Sequence, residues 1–439
     1  MKKKYRIILY TSIFLLCVVA SIILVVKKSN SVYEEESKPK VVKHKSMLSM
    51  NLEQTAGSGD YKTVTQSSWP TEGYKFNAEL SKCENGSTLS WDDTKKAVIM
   101  QGNVSDKCYV YFDIWIPSIA DYCTSGTDLA TCVKNFGDQG PSVSNIYIHN
   151  SSLTNGAGDN SYRYAGANPN NFVCFGSDAS PCPIDNLYRI IGVFGENYHG
   201  ANGKQLVKLI KYDYMTTDEL GTDGDYSQTY KEWGMDSTYK GTYGDGERIG
   251  VYYWNYKATG SATNTWSTSL LNKTNLNTNF INNIGTTWAN KIATVTWKVG
   301  GNTWANIGTK TSSVAYTNEI TNPVTTNTTD NATTYSAKIG LMYVSDYGFA
   351  ASPDAWTLTM SSYNNTTATN NNWMYMGLYE WTISRFADGS VSAFRVSSDG
   401  YVGYSDVYFN RGVRASFNLE SSVSYVSGSG SMSDPIVIN

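Results

Sequence analysis

Cysteine spacing is the first chemical signal in this chain. Six of its seven cysteines fall into short-range pairs: Cys83 with Cys108, Cys123 with Cys132, and Cys174 with Cys182. None of these pairs is a CxxC and none has a histidine beside it, so the ligand spacing of a zinc site is missing. Metal ligands and free thiols are the rival readings, and spacing alone does not prove connectivity. Pairing nearest neighbours closes small loops at little entropic cost. Three structural disulfides, Cys83–Cys108, Cys123–Cys132 and Cys174–Cys182, are therefore expected, and with them an oxidising compartment.

Catalysis has less to draw on. The three histidines are His44 in a charged stretch and His149 and His199 in polar ones. That is a thin basis for a Ser/His/Asp triad or a His-rich metal site. Asp223-Gly224-Asp225, with Asp218 and Glu219 nearby and Asp245 further on, offers oxygens of the kind calcium takes, without the twelve-residue register of an EF-hand. A solvated acidic loop is the plainer reading, so no metal is expected and calcium is the one cation weighed. Glu380 with Asp388 or Asp399 could be a carboxylate pair for glycoside hydrolysis, but their contexts read as strand ends and Asp-Gly turns. The chain is read as a non-enzyme, with no catalytic residue.

Recognition is better served. Trp373, Tyr375, Tyr379, Trp381, Arg385, Phe394, Arg395, Tyr401, Tyr404, Tyr408, Phe409 and Arg411 crowd one C-terminal segment. Alternation assigns Trp381, Phe394, Val396 and Phe417 to the core. Tyr401, Tyr404, Asp406, Tyr408, Asn410 and Arg411 fall in a turn-rich stretch, where Tyr, Asn and Asp make an adaptable contact surface. These six are the candidate ligand-binding residues; ordinary packing and turns are the alternative.

The elements that must hold them follow from composition. Asn, Thr, Ser, Gly and Tyr dominate, with 33 Tyr and 12 Trp in 439 residues. This biases the chain toward short strands and polar turns, an all-β or α+β protein. Residues 7–26, IILYTSIFLLCVVASIILVV, form an apolar run about as long as a membrane-crossing helix needs. Basic residues precede it, so it is read as an uncleaved signal-anchor with the N-terminus inside and the bulk extracellular. The first 28 residues hold six basic side chains and no acidic one, so the net −3 of the chain leaves −9 for the rest. Such an exterior argues against nucleic acid as a partner.

The expected organisation is a cytoplasmic tail and transmembrane helix over 1–28, a flexible stalk over 29–58 and a small β module over 59–115. A connector over 116–160 and a main domain over 161–439 complete it. Alternation is clear in Cys108-Tyr109-Val110-Tyr111-Phe112. The most helix-like piece is SLLNKTNLNTNFINNIG, with Leu270, Leu271, Leu276, Phe280, Ile281 and Ile284 as a shared apolar side and Gly285 as its end.

The main domain carries, in order, NLYRIIGVFG and QLVKLIK, then NTWSTSLLNKTNLNTNFINNI, KIGLMYVSDYGFAA and EWTISRFADGSVSAFRVSSDGYVGYSDVYFNRGVRASFNL. This order resembles a surface-protein family of unassigned function found in gut Firmicutes and their relatives. The resemblance implies a C-type-lectin-like fold, the fold of sulfatase-modifying enzymes and of the variable receptors of diversity-generating retroelements. It extends over about 162–439. Ala415 stands where the family pattern has proline after Gly-Val-Arg, and no cysteine follows Cys182 to supply the thiol pair of formylglycine-generating relatives. The fold class expected is thus α+β: a C-type-lectin-like domain behind a disulfide-stapled β module and an N-terminal transmembrane helix. The expected function is a membrane-anchored surface module for adhesion or ligand binding. Its partners would be a host or microbial surface glycan or protein, and the membrane through residues 7–26. The alternatives are an extracellular enzyme of the sulfatase-modifying fold, a carbohydrate hydrolase, and a structural envelope component.

Overall fold

The computed structural model describes residues 47–439 apart from 66–67, 71, 103–104, 196–198, 202, 228–238, 244–247, 261, 326–330 and 365. Contacts divide the chain between Ile116 and Pro117 into two compact units.

The first unit is built on β1 (Met47–Glu53), β2 (Tyr61–Val64), β3 (Tyr74–Cys83), β4 (Thr88–Asp92), β5 (Ala97–Gln101) and β6 (Lys107–Ile114). Four of them form a sheet in the order β2-β1-β6-β3, and β4 pairs with β5 as a separate hairpin. The alternation in β6 is real: Cys108, Val110 and Phe112 point inward and are buried. With Met50 and Leu52 of the parallel neighbour β1 they make a thin core, against which Trp69, Phe76, Trp91 and Val98 pack. Cys83 and Cys108 sit opposite each other in the β3–β6 ladder and are bridged. β1 starts inside the stretch read as flexible stalk. It pairs with β2 nearby and with β6 some sixty residues on, and the second is a non-local pairing that no local pattern announces.

The second unit opens with β7 (Ile146–Ile148), β8 (Tyr162–Tyr164), β9 (Phe172–Cys174), β10 (Leu187–Phe194), β11 (Leu206–Lys211), β12 (Tyr226–Ser227) and β13 (Val251–Tyr252). It continues with β14 (Val295–Lys298), β15 (Thr334–Ala337), β16 (Ile339–Gly340), β17 (Glu380–Arg385), β18 (Ser392–Val396), β19 (Val402–Asp406), β20 (Arg411–Gly412), β21 (Ser416–Asn418), β22 (Tyr425–Ser427) and β23 (Val437–Ile438). One sheet runs β16-β21-β11-β10-β8-β7, with β9 also on β10, and a second runs β12-β13-β20-β17-β18-β19. β10 and β11 are buried along their whole length. Such near-continuous apolar runs are what a strand covered on both faces requires.

The region expected to be a connector belongs to this unit. Its helix Leu129–Gly137 starts on an Asp128 cap, whose carboxylate accepts the Thr131 N–H at 2.8 Å. That helix buries Leu129, Val133 and Phe136 in the main core, and Cys132 is bridged to Cys123. The third bridge is Cys174–Cys182. The helix-like segment is π-helical over Leu271–Phe280, and it buries Leu271, Leu276 and Phe280. The wider turn suits that spacing better than the α-helical period does. Gly285 opens a further short helix, Gly285–Ala289, instead of ending the run.

The expected fold class needs correction. Sheets dominate both units and the helices are short pieces, so a balanced α+β domain of C-type-lectin type behind a membrane helix is not the fold found. No helix among the described residues is long and apolar enough to cross a membrane. The apolar run 7–26 lies outside the described residues.

Candidate functional site

Of all the aromatic side chains among the described residues, only Tyr404, Tyr408 and Phe409 are exposed, at 47%, 42% and 41%. They lie within six positions, on edge strand β19 and in the turn that follows it, which closes with Phe409 N–H donating to the Asp406 carbonyl at 3.0 Å.

Strand alternation splits the six residues singled out from sequence between two faces of one sheet. On the first face, Tyr404 stacks on Phe386 at 4.1 Å between ring centres and meets Trp304 edge-on at 5.6 Å. Asp406 shares that face: its Oδ1 accepts the Ser392 hydroxyl at 2.7 Å, and its Oδ2 accepts the Tyr408 hydroxyl at 2.6 Å. That hydrogen bond pushes the Tyr408 phenol above its ordinary range.

On the opposite face Tyr401 joins a group the sequence did not assemble. Arg395, placed by β18, donates from Nη2 to the Tyr401 hydroxyl at 3.1 Å and from Nε to Ser405 Oγ at 3.0 Å. Arg411, placed by β20, donates from Nη2 to the same Ser405 Oγ at 3.3 Å and from Nη1 to the Asn410 carbonyl at 2.8 Å. Both guanidiniums lie over one ring, Tyr379, at 4.4 Å and 4.7 Å. Arg411 also faces the exposed Phe409 ring at 5.2 Å. Gly403 makes this possible: a Cβ there would come within 2.9 Å of the Tyr401 ring and 3.4 Å of Arg395 Nη1. Arg395 and Tyr379 belong in the candidate set, and the register that pairs Arg395 with Gly403 is what brings them in.

The other candidates are spent elsewhere. Glu380 is buried against Arg414, whose Nε and Nη2 grip its two oxygens at 2.8 and 2.9 Å. Asp388 accepts the Trp304 backbone N–H at 2.7 Å, and Asp399 is exposed, so the imagined hydrolytic pair does not converge. Glu219 pairs with Lys211 at 2.6 Å and Asp223 accepts Asn279 Nδ2 at 2.7 Å. Asp245 and His44 lie outside the described residues. The one group of potential metal ligands that converges among the described residues is Cys83, Asp106 and Cys108, and its thiols are tied up in the disulfide.

His149 and His199, read as loop residues, are buried. His149 packs against Phe349 and Trp356, and burial holds its imidazole well below the ordinary range. His199 joins an internal ion network. Arg163 Nη2 meets Asp159 Oδ2 at 2.9 Å, Lys208 Nζ meets Asp346 Oδ2 at 2.5 Å, and His199 Nε2 is 3.5 Å from Asp159. Burial opposes the ionised form of Asp159, yet Arg163 holds its carboxyl well below the usual carboxylate range. Burial likewise lowers His199 to about 4. Arg163 lies over the rings of Phe194, Tyr316 and Phe349 at 4.7, 5.2 and 4.9 Å, which seats this network inside the aromatic core.

No protein-family model matches the chain, and no curated protein or solved structure matches it either. The class the molecule defines by itself is a two-unit, disulfide-bonded, predominantly β protein that, among the described residues, exposes an aromatic patch on the edge of a sheet in its second unit.

Proposed function

We propose that this chain is an exported surface protein whose second unit binds a glycan through β19 and the turn after it. The observation that carries the reading is the confinement of every exposed aromatic side chain among the described residues to Tyr404, Tyr408 and Phe409. Aromatic rings bring large contact area with few rotatable bonds, and a sugar presents apolar C–H faces to them. Asp406, which accepts the Tyr408 hydroxyl, stands beside the Tyr404 and Tyr408 rings to set orientation by hydrogen bonds. The three disulfides support an oxidising compartment outside the cytoplasm.

The test is an oligosaccharide array probed with the full-length, disulfide-intact chain and with Tyr404→Ala and Tyr408→Ala. Each substitution is expected to weaken binding roughly tenfold, about 1.4 kcal/mol, and to leave the unfolding midpoint within a few degrees. Undiminished binding by both variants would remove the site. A structural envelope role is the second reading, favoured by the number of large aromatics committed to the core among the described residues, Trp254, Trp266, Trp297, Trp356 and Trp381 being fully buried. Silence of the folded protein across the array would decide for it.

A further inference from the structure

We propose that Lys208 and Asp346 condense to an intramolecular amide, a cross-link that the folded second unit forms by itself. This goes beyond the glycan-binding reading and is independent of it.

Lys208 comes from β11, between β21 and β10, and Asp346 from the first turn of the helix Val344–Ala350. The Lys208 Nζ is 2.5 Å from Asp346 Oδ2, so the carboxyl carbon is at most one C–O bond, about 1.2 Å, further away. Groups held this close and this firmly are placed to react. Charge-assisted N–H···O bonds ordinarily settle at about 2.7–2.9 Å. Both side chains are shut off from solvent, at 1% and 0% exposure. The ammonium carries three donors, and Oδ2 is its one acceptor among the described residues. The rings of Tyr343, Trp297 and Phe194 stand around it at 4.4, 5.1 and 5.7 Å. Charges buried in this way are costly. An amide removes both and needs a single acceptor for its N–H.

The surroundings hold the carboxyl for attack. Glu319 accepts the Val344 and Ser345 backbone N–H groups at 2.8 and 2.9 Å, which pins the turn that carries Asp346. The Tyr343 N–H donates to Oδ2 at 3.0 Å. Arg163 Nη1 lies 3.6 Å from Oδ1, and neither atom has a hydrogen-bond partner among the described residues. Burial lowers the Lys208 ammonium toward the neutral amine. Burial pushes the Asp346 carboxyl up, but Lys208 and Arg163 outweigh it, so the reaction starts from the ion pair. A proton passes from Nζ to Oδ2, the amine lone pair attacks Cγ, and the carbonyl electrons move onto Oδ1 beside Arg163. Oδ2 takes a second proton from Nζ and leaves as water with the bonding pair, while the electrons on Oδ1 restore the carbonyl. Of the three ammonium protons, two depart in that water and one stays on the amide. No outside reagent enters. Effective concentrations of about 10⁵–10⁸ M for well-oriented groups offset the preference of bulk water for the separated ions.

The nearest rival is Lys211 with Glu219, 2.6 Å apart. The Glu219 side chain is 19% exposed and its other oxygen accepts the Thr216 N–H at 2.9 Å, so water reaches and solvates that carboxylate.

The experiment takes the full-length folded chain, reduces and alkylates its cysteines, digests it with trypsin and sequences the peptides by tandem mass spectrometry. The expected result is loss of cleavage after Lys208 and a branched peptide joining the Lys208 and Asp346 segments, lighter than their sum by one water. Lys208→Arg, which keeps a cation, should restore the full sequence mass and cleavage at position 208. It should also lower the unfolding temperature, since the amide joins residues 138 apart and constrains the unfolded chain. The peptide map of the unmodified chain decides even if that variant does not fold. Full sequence mass with ordinary cleavage after Lys208 overturns the proposal and leaves a buried ion pair. A water lost instead between Lys211 and Glu219, or as a succinimide at Asp388-Gly389, overturns it equally.

Discussion

Position 403 shows how closely the packing of one sheet face depends on a single missing side chain. Gly403 lies on β19 opposite Arg395, and the missing side chain is what lets the Tyr401 ring and the guanidinium close over the strand. Gly403→Ala should displace the ring, break the 3.1 Å bond from Arg395 to Tyr401, and destabilise the second unit by about 1–3 kcal/mol. Denaturant titration checks the stability, and an unchanged midpoint would mean that the ring moves aside freely. The same residue explains why the candidate set was only half legible. Tyr404 and Tyr408 announced themselves as aromatics in a turn-rich stretch. Arg395 did not, because it is separated from Tyr401 by a turn and meets it only once β18 and β19 pair.

Among the elements, β3 and β6 depend most on a covalent tie. The buried core of the first unit consists of Met50, Leu52, Val110 and Phe112 with aromatics around them, a small apolar reserve for so many ordered residues. Cys83 and Cys108 are 25 residues apart in sequence and directly opposed in the ladder. Replacing both with serine should cost the first unit about 2–4 kcal/mol. Opening Cys174–Cys182, which spans 8 residues beside a large core, should cost the second unit less, since the loop it closes is shorter. Calorimetry of the two double-serine variants compares them, and an unshifted first-unit transition would contradict the argument. The strands of this unit were readable where apolar and polar residues alternate, as in β6. β1 was not: β2 pairs with it locally, but the parallel partner β6 that buries Met50 and Leu52 is distant in the chain, and a strand directly after a charged stretch carries little signal of its own.

At the scale of the whole molecule, buried ionisable groups set the response to acid. His199 is lowered by burial to about 4, whereas an unfolded imidazole titrates near 6.5. The unfolded chain therefore takes up a proton first, and stability is lost as pH falls from about 6.5 to about 4. The full loss from this group is on the order of 3 kcal/mol. His149 acts with the same sign, since burial lowers it as well. Asp159 extends the loss into the carboxylate range, because Arg163 holds its folded pKa down against burial. Glu319 opposes these, as burial raises its carboxyl and makes protonation favour the folded state. Unfolding free energies measured at pH 6.5, 5 and 4 should fall, and His199→Gln should flatten that slope. A slope equal to that of the unmodified chain would show that His199 does not carry it.

Cysteine pairing, the β-rich composition and the aromatic weight of the segment from Trp373 to Arg411 were all present in the one-dimensional record. Each depends on residue type and short-range spacing: three loops of modest length, frequent turn formers, and period-two alternation in strands such as β6 and β18. What required the tertiary structure was everything set by distant contact. The π-helical turn of Leu271–Phe280 answers to the core it packs on, and His149 and His199 became interior because rings on helical segments far along the chain, Phe349, Trp356 and Tyr316, pack against them. The division of Tyr404 and Tyr401 onto opposite faces, and the meeting of Arg395 with Arg411 over Tyr379, follow from strand order and register. Those arise from the burial of whole sheets, a quantity that no window of adjacent residues contains.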